Sequence, residues 1–294
     1  MAASSNLERR TLGVTAAARF LEQLDEWLRP ACAWSLADEY PQIFGPGSMA
    51  FQHVLLDGDQ LLAHAATLDL RFRGHGHELV VRLVGSVVAH PERRGEGHAS
   101  VLLDAIREDF WRESPDVLIL WSPSRNLYRR CGFEPLGNEH ILQLGRASLG
   151  PILGLLRPAR QDDVPALHAL HAAKPVGTQR LYEDFERFLS IPRCETWVLE
   201  IDKEVRAYAS IGKGLDFEDH IHEVGGLDPE VASLVSSLLM EKGRDLGLLL
   251  APYRSDLRRL LSPLVMDETH SALGLGIVKT RLAADFYLEG FDSI

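Results

Sequence analysis

The chain has 294 residues, about twice the roughly 100 to 200 residues of a typical domain, so two domains or one large domain are expected. Hydrophobic residues make up 46% and charged residues 25% of the sequence, which is typical of a globular protein and not of a disordered or fibrous one. The 31 Lys and Arg residues face 42 Asp and Glu residues, and the net charge of −11 argues against nucleic acid as a partner. The excess of acidic residues favours a cationic small molecule or a basic peptide as ligand, but many acidic proteins carry such a charge for solubility alone.

The cysteines and the N-terminus point to a reducing compartment. Cys32, Cys131 and Cys194 are odd in number and far apart in sequence, which predicts neither a disulfide framework nor a structural zinc site. The first residues show no apolar run before their charges, and no stretch of about 18 apolar residues occurs. We therefore expect a cytoplasmic protein without a signal peptide, membrane helix or membrane partner.

The first half reads as a helix followed by paired strands. Apolar residues recur at helical spacing over residues 16–28, and Pro30 ends that helix. Two extended runs, 50–56 and 61–72, are separated by an Asp57-Gly58 turn signal, which predicts an antiparallel hairpin. A turn at Gly74–His77 follows.

A strand, a glycine-bearing loop and a helix come next. Residues 79–89 are nearly all apolar, which predicts a central strand, and residues 91–97 form a polar loop. Helical periodicity over 98–111 and a short apolar strand at 117–121 then predict a crossover that places this strand parallel to 79–89. The fold class is therefore mixed α/β, with a mixed sheet flanked by helices.

The second half repeats part of this plan. Glycines and prolines from Gly145 to Pro158 mark a boundary near residue 150, which divides the chain into residues 1–150 and 151–294. The two halves look like divergent copies. The elements expected in the second half are helices at 164–172, 182–189 and 229–243 and strands at 196–201 and 205–213.

The junction between the central strand and the crossover helix is suited to an anion. Backbone N–H groups at a helix N-terminus are unpaired, and Gly95 and Gly97 let a diphosphate approach the chain. Arg93 and Arg94 can add charge-assisted contacts. A glycine loop that only serves packing is the alternative, and the spacing matches neither the dinucleotide-binding nor the Walker pattern.

Two segments in register resemble the GNAT superfamily of acyl-CoA-dependent N-acetyltransferases. Arg94-Gly95-Glu96-Gly97-His98-Ala99 is similar to the Arg/Gln-x-x-Gly-x-Gly/Ala signature of that family, and Asn126 to Glu134 resembles its Tyr-x-x-x-Gly-Phe segment. The resemblance implies that acetyl-CoA is the acyl donor, with its pyrophosphate on the loop amides and its pantetheine arm along the preceding strand. The residues implied in acetyl-CoA binding are Val87, Val88, Ala89, Arg93, Arg94, Gly95, Glu96, Gly97, His98, Ala99 and Asn126.

The same resemblance implies a catalytic role for Tyr128. Many family members place a tyrosine four residues before the Gly-Phe pair, and it protonates the departing CoA thiolate. A tyrosine that only packs along the CoA tunnel is the alternative. No base is assigned, because residues 83–86 carry no carboxylate where some family members have a glutamate. The substitutes considered near the strand ends are Glu78, His77, His75 and Asp69.

Across the whole chain the sequence is similar to tandem-GNAT proteins of the enhanced-intracellular-survival type, which acetylate aminoglycosides and other polyamines. Those proteins carry a further sterol-carrier-like domain and use a terminal carboxylate in the active site, and we do not transfer that role to Ile294. In mycothiol-synthase-like tandem proteins the second copy is the active one. Here the intact motif lies in the first copy.

The second copy lacks the signature. Its equivalent segment, residues 224–231, has no arginine and carries a proline at the helix start, which predicts no productive acetyl-CoA binding. Acidic residues just before this segment suit a polycationic acceptor, or form a solvated acidic loop. His220 and His222 alternate beside one of them, but no metal is assigned. The acidic residues are Asp216, Glu218, Asp219 and Glu223.

The predicted function is acetyl-CoA-dependent N-acetyl transfer to a primary amine by direct attack. A sensor that binds acyl-CoA without turnover and an interaction scaffold are the alternatives from other classes. Aminoglycosides, polyamines, amino acids and protein lysines all remain open as acceptors, because loops without a transferable code set acceptor choice. Monomer and homo-oligomer are equally open.

Overall fold

The computed structural model describes residues 7–74, 77–150 and 153–294. Over these residues the chain forms two mixed β-sheets flanked by helices, which confirms the mixed α/β class. The strands are β1 Leu7–Gly13, β2 Phe51–Asp57, β3 Gln60–Gly74, β4 His77–Ala89, β5 Val117–Leu120, β6 Glu134–Leu136, β7 Glu139–Leu144, β8 Leu155–Pro158, β9 Val176–Thr178, β10 Glu195–Ile201, β11 Glu204–Lys213, β12 Asp216–Gly226, β13 Leu246–Leu250, β14 Val265–Ser271 and β15 Gly274–Val278.

The helices are α1 Val14–Ala17, α2 Leu21–Leu28, α3 Leu36–Glu39, α4 Pro41–Phe44, α5 His98–Arg112, α6 Arg125–Arg130, α7 Val164–Ala172, α8 Tyr182–Phe188, α9 Asp228–Lys242 and α10 Ser255–Leu261. Short 3₁₀ turns include Ala18–Phe20, which joins α1 to α2, and Gly290–Asp292 near the end of the chain. None of the described helices is long and apolar enough to cross a membrane.

The first sheet follows the order β1-β2-β3-β4-β5-β15-β6, with β9 paired to β3. The expected hairpin is present, since β2 and β3 pair antiparallel and turn at Asp57–Gln60. Strand β4 lies centrally and pairs parallel with β5, as a crossover through α5 requires. The predicted turn at Gly74–His77 includes residues 75 and 76, which lie outside the described residues.

The apolar stripe of α5 explains its place on this sheet. Leu102, Leu103, Ile106 and Phe110 are all buried in one core cluster with side chains of β3, β4 and β5. Residues three and four apart lie on one face of a helix, so this spacing gives α5 a single buried side. Its N-terminus is thereby fixed beside the end of β4.

The second sheet follows the order β14-β7-β13-β12-β11-β10-β8. Strand β7, from the first half of the sequence, pairs with both β13 and β14 in this sheet. Strand β15, from the second half, inserts between β5 and β6 of the first sheet. The two sheets thus exchange a strand, and the division of the chain at residue 150 stays a prediction.

The structure of residues 216–226 corrects one alternative considered from the sequence. The alternative of a solvated acidic loop is wrong, because these residues form β12, which lies inside the second sheet between β11 and β13. The acidic residues concealed the strand pattern, since charged side chains inside a sheet are uncommon. Of the four acidic residues only Glu223 is buried, and the ion pairs described below explain its burial. Glu218 and Asp219 are exposed to solvent, as that alternative expected.

Candidate active site

A bulge in β4 shapes the strand that leads to the glycine loop. His64 of β3 pairs with Val88 and Ala66 pairs with Gly85, so β4 has one residue more than β3 in this interval. Ser86 has a φ of +50°, and its carbonyl oxygen lies 2.9 Å from Nδ1 of the fully buried His64. The His64 ring therefore fixes the bulge, and Val87 follows it directly.

Strands β4 and β5 separate next to this bulge. Their parallel pairing runs from Val81 and Val117 to Leu83 and Ile119, and no pairing between them is present beyond that point among the described residues. The gap is continuous with a cleft of about 690 Å³. The residues of these strands and of the segment after β5 that line it are Val84, Gly85, Ser86, Val87, Leu120, Trp121, Ser122, Pro123 and Tyr128.

The glycine loop leaves the start of α5 open. Gly95 and Gly97 have φ values of +87° and +86°, and a Cβ at either position would meet no atom within 4 Å. The first turn of α5 contains no acidic residue, although the Glu96 carboxylate just before it lies 3.7 Å from Nε2 of His98. Arg93 forms an ion pair with Glu96 at 2.7 Å, and Arg94 is exposed. These features fit a diphosphate, which needs backbone amides and open space.

The other implied cofactor residues lie in different environments. His98 is buried, and its Nδ1 has no hydrogen-bond partner among the described residues. The Val88 side chain packs in the core on the side of the N-terminal helices. Ala89 and Ala99 are partly buried, whereas Asn126 is exposed on α6 and is not part of the cleft lining.

Tyr128 lies on α6 at the wall of the cleft. Its side chain is 7% exposed, and its ring meets Phe133 edge-on at 6.1 Å between centroids. Burial raises the pKa of the Tyr128 hydroxyl, and a hydrogen bond with Ser122 offsets part of this rise. The phenol is therefore protonated at neutral pH and can donate a proton into the cleft.

The tip of the β11–β12 hairpin, residues 215–217, also lines the cleft. The second half of the chain thus contributes to this site. The Tyr40 hydroxyl donates a hydrogen bond to Asp216, and Glu39 accepts one from the Leu215 backbone N–H at 2.9 Å. Glu39 is fully buried and is held by Arg29 at 2.7 Å. Charged contacts therefore join the two halves of the chain at one end of the cleft.

Ile294 also lines the cleft, and the sequence did not predict this position. A Cβ at Gly85 would overlap the backbone carbonyl of Ile294, so glycine is required there for this close approach. The buried Lys213 ammonium donates to the carbonyl oxygens of Gly290, Phe291 and Ser293. Burial lowers the pKa of Lys213 to about 8. A glycine inside an otherwise apolar strand was one available signal, and the terminal carboxylate used by the tandem proteins that the sequence resembles was another.

The base candidates considered from the sequence lie elsewhere. Asp69 forms a two-point ion pair with Arg82, at 2.7 and 2.8 Å. Glu78 accepts a hydrogen bond from Gln179, and His77 is exposed at the start of β4. Among these three described residues none lines the cleft, and His75 is outside the described residues.

The four acidic residues of β12 have separate environments. Asp216 lines the cleft, whereas Glu218 and Asp219 are exposed and pair with Arg193 and Arg244. Glu223 is fully buried and forms ion pairs with Arg180 and Lys174, and it accepts a hydrogen bond from the Tyr208 hydroxyl. Burial alone would raise the pKa of Glu223, but the charges of Arg180 and Lys174 hold it well below its usual range.

This buried ion cluster also holds the end of the chain. Lys174 pairs with Glu289 at 2.8 Å, and Arg180 pairs with Asp292 at 2.8 Å. His222 is buried as well, with its Nε2 3.1 Å from the Gly212 carbonyl oxygen. The alternating His220 and His222 therefore belong to a packed strand.

Comparisons with known proteins agree with this geometry. Residues 38–136 match the family model of an acetyltransferase (GNAT) domain, a stretch that contains both the glycine loop and Tyr128. Comparison of the sequence with curated proteins gave no match.

Solved structures share the fold over nearly the whole chain. A probable N-acyltransferase of unknown function from Enterococcus faecalis superposes with a TM-score of 0.72 at 12% identity, over 93% of this chain and 73% of the other. A GCN5-related N-acetyltransferase from Kribbella flavida gives 0.66 at 16% identity, over 93% and 71%. Eis1 from Mycobacterium abscessus gives 0.61 at 15% identity, over 92% and 73%. The resemblance seen in the two motifs is confirmed, and the chain carries a GNAT acetyltransferase domain over residues 38–136.

Proposed function

We propose that this protein transfers an acetyl group from acetyl-CoA to a primary amine. The observation that carries the proposal is the cleft between β4 and β5, which brings Val87, Tyr128 and Asp216 around one space. A GNAT acetyltransferase domain supports acyl transfer in general. The acetyl donor, the amine acceptor and the direct attack are our proposals.

The first half of the chain would hold the donor. The open glycine loop offers backbone amides to the pyrophosphate, and Arg94 adds an exposed positive charge. The backbone beyond the Ser86 bulge would bind the pantetheine arm and orient the thioester carbonyl. Bound acetyl-CoA supplies an activated acyl group on sulfur.

The residues of the cleft would then assist a direct attack. A neutral amine nitrogen forms a bond to the acyl carbon, and the bond from that carbon to sulfur breaks. Tyr128, which is protonated at neutral pH, gives its proton to the departing sulfur. The proton lost by the amine passes to water or to an oxygen atom of the cleft. Holding both reactants in one cleft supplies much of the rate gain.

The second half of the chain would complete the end of the cleft that receives the acceptor amine. Leu215 and Phe217 present apolar surface there, and Asp216 presents a carboxylate that is 41% exposed and lies 3.6 Å from the Arg29 guanidinium. A carboxylate at this place favours a cationic acceptor, in keeping with a net charge of −11. We therefore propose an amine with more than one positive charge, and a second copy that binds no cofactor.

Calorimetric titration of acetyl-CoA tests the donor site. We expect one site per chain in the wild type and at least a tenfold weaker affinity in Arg94→Glu. Arg112→Glu makes the same charge change at the far end of α5 and should bind normally. Release of CoA with members of an amine panel then tests turnover.

Each alternative has its own outcome. Binding without CoA release for any amine would favour the sensor. No binding by a folded wild-type protein would contradict the proposal and favour an interaction scaffold.

A further inference from the structure

Two histidines and a glutamate meet on the second sheet, away from the cleft. His140 lies on β7 and pairs directly with His270 on β14, the edge strand. Glu268 is two residues before His270, so both side chains lie on the same face of β14. His140 joins them because residues paired across two strands share a face.

The three side chains already converge on one point. Nδ1 of His140 is 2.9 Å from Oε1 of Glu268, and Nε2 of His270 is 3.4 Å from the same oxygen. All three ligand atoms lie within 4.8 Å of one another, and the imidazole centroids are 4.3 Å apart. Atoms that bind one ion at about 2.0 to 2.2 Å must lie close to one another, and the separations of these three ligand atoms are compatible with that.

We propose that His140, Glu268 and His270 form a binding site for a divalent cation of the zinc type. Two imidazoles and one carboxylate suit zinc, copper or nickel better than magnesium or calcium, which prefer oxygen ligands alone. His140 and Glu268 are mostly buried, at 17% and 21% exposure, whereas His270 is 61% exposed. The site is therefore built into the sheet on one side and open to solvent on the other.

Arg258 is the group that competes with the ion. Its Nε lies 2.7 Å from Oε1 of Glu268 and its Nη2 lies 2.9 Å from Oε2. The guanidinium keeps Glu268 ionised, but its positive charge repels a cation. When a cation binds, Arg258 either stays hydrogen-bonded to Oε2 of Glu268 or moves out to solvent. Removal of the Arg258 side chain should therefore strengthen cation binding.

The site would link the exchanged strand to its host sheet. Strand β7 comes from the first half of the chain, and β14 is the edge of the second sheet. An ion shared by the two strands stabilises the folded state in proportion to its occupancy. This effect does not depend on acetyl transfer.

The test is a titration of zinc chloride into the untagged full-length protein at a pH of about 7.5, where free imidazole is mostly neutral. We expect one site per chain, a higher unfolding temperature with zinc, and a loss of both in His270→Ala and His140→Ala. His77→Ala, an exposed histidine on the first sheet, and Cys32→Ser should bind zinc normally. Circular dichroism checks that each variant is folded.

A second variant tests whether the charge of Arg258 competes with the cation. Arg258→Ala should bind zinc several times more tightly than the wild type, because the competing charge is gone. No zinc binding by the wild type would overturn the proposal, as would unchanged binding in His270→Ala. Weaker binding in Arg258→Ala would equally contradict the assignment.

Discussion

The two central parallel strand pairs, β4–β5 and β12–β13, occupy equivalent places in the two sheets but have different surroundings. Beside β4 the gap holds a cleft with the Tyr128 side chain at its wall. Strand β12 pairs with β13 at His220 and Ile221, and two residues later Glu223 is enclosed by Arg180, Lys174 and Tyr208. The same strand arrangement thus places a cleft with Tyr128 at its wall in one sheet. In the other it places a buried ion cluster beside a cleft of about 760 Å³ that Lys174, Asp228 and Arg254 line.

The helices that follow β4 and β12 also differ, in the charges at their N-termini. Helix α5 begins after two glycines and has no acidic residue in its first turn. Helix α9 has Asp228 and Glu230 there, and Asp228 accepts hydrogen bonds from Arg254 and from the Leu257 backbone. Its positive end is already met by carboxylates. The proposed donor site therefore lies at the helix N-terminus whose first turn carries no carboxylate, and its counterpart in the second sheet does not offer this feature.

The largest expected effect concerns the open site. Tyr128→Phe should lower kcat by about 10²- to 10⁴-fold, since it removes the proposed general acid. Acetyl-CoA affinity should stay unchanged, because the ring remains in place. Steady-state rates and calorimetry measure the two quantities, and Tyr182→Phe on the exposed face of α8 is the control. A normal kcat in Tyr128→Phe would show that Tyr128 only packs along the cleft.

The buried ion cluster should give the next largest effect. Glu223→Gln leaves Arg180 and Lys174 buried without their shared partner, and breaking such a pair costs about 3 to 5 kcal/mol of unfolding free energy. Urea unfolding measures this loss. Glu218→Gln on the same strand changes an exposed ion pair and should have little effect. Equal stabilities for the two variants would contradict the structural role of the cluster.

Buried histidines in both sheets should make the fold sensitive to acid. Burial lowers the pKa of His64 to about 4 and that of His222 to about 3, from an ordinary value of 6.5. The unfolded chain therefore binds more protons below pH 6.5, and stability is full above that pH and declines as the pH falls towards 4. Each histidine contributes a slope of about 1.4 kcal/mol per pH unit.

Substitution of one histidine isolates its share of this slope. His64→Gln retains a hydrogen-bonding side chain and removes one titrating group, so its unfolding free energy should depend less steeply on pH between 6 and 4 than that of the wild type. Urea titrations at several pH values give the slopes. Identical slopes would show that His64 takes up no proton on unfolding.

The smallest expected effect concerns the acceptor end. Asp216→Asn removes a negative charge beside Tyr40 and should raise the KM for a polycationic amine about three- to tenfold. Acetyl-CoA affinity should not change. Asp219→Asn, three residues along the strand and exposed, is the control. A higher KM in both variants would point to the net charge of the protein and not to the cleft.

Much of the first sheet could be predicted because its signals are local. The Asp57-Gly58 turn between two apolar runs predicts the β2–β3 hairpin, and the spacing of Leu102, Leu103 and Ile106 predicts α5. The glycine loop is likewise a contiguous segment at a helix N-terminus. Such signals arise from neighbouring residues along the chain, so one sequence is enough to find them.

The tertiary structure decided what depends on distant residues. The exchange of β7 and β15 between the sheets, the approach of Ile294 to Gly85 and the burial of Glu223 each need partners far away in sequence. Glu223 shows the physical reason most clearly. A charged side chain predicts exposure from the sequence, and only the arrival of Arg180 and Lys174 from other elements compensates its removal from water.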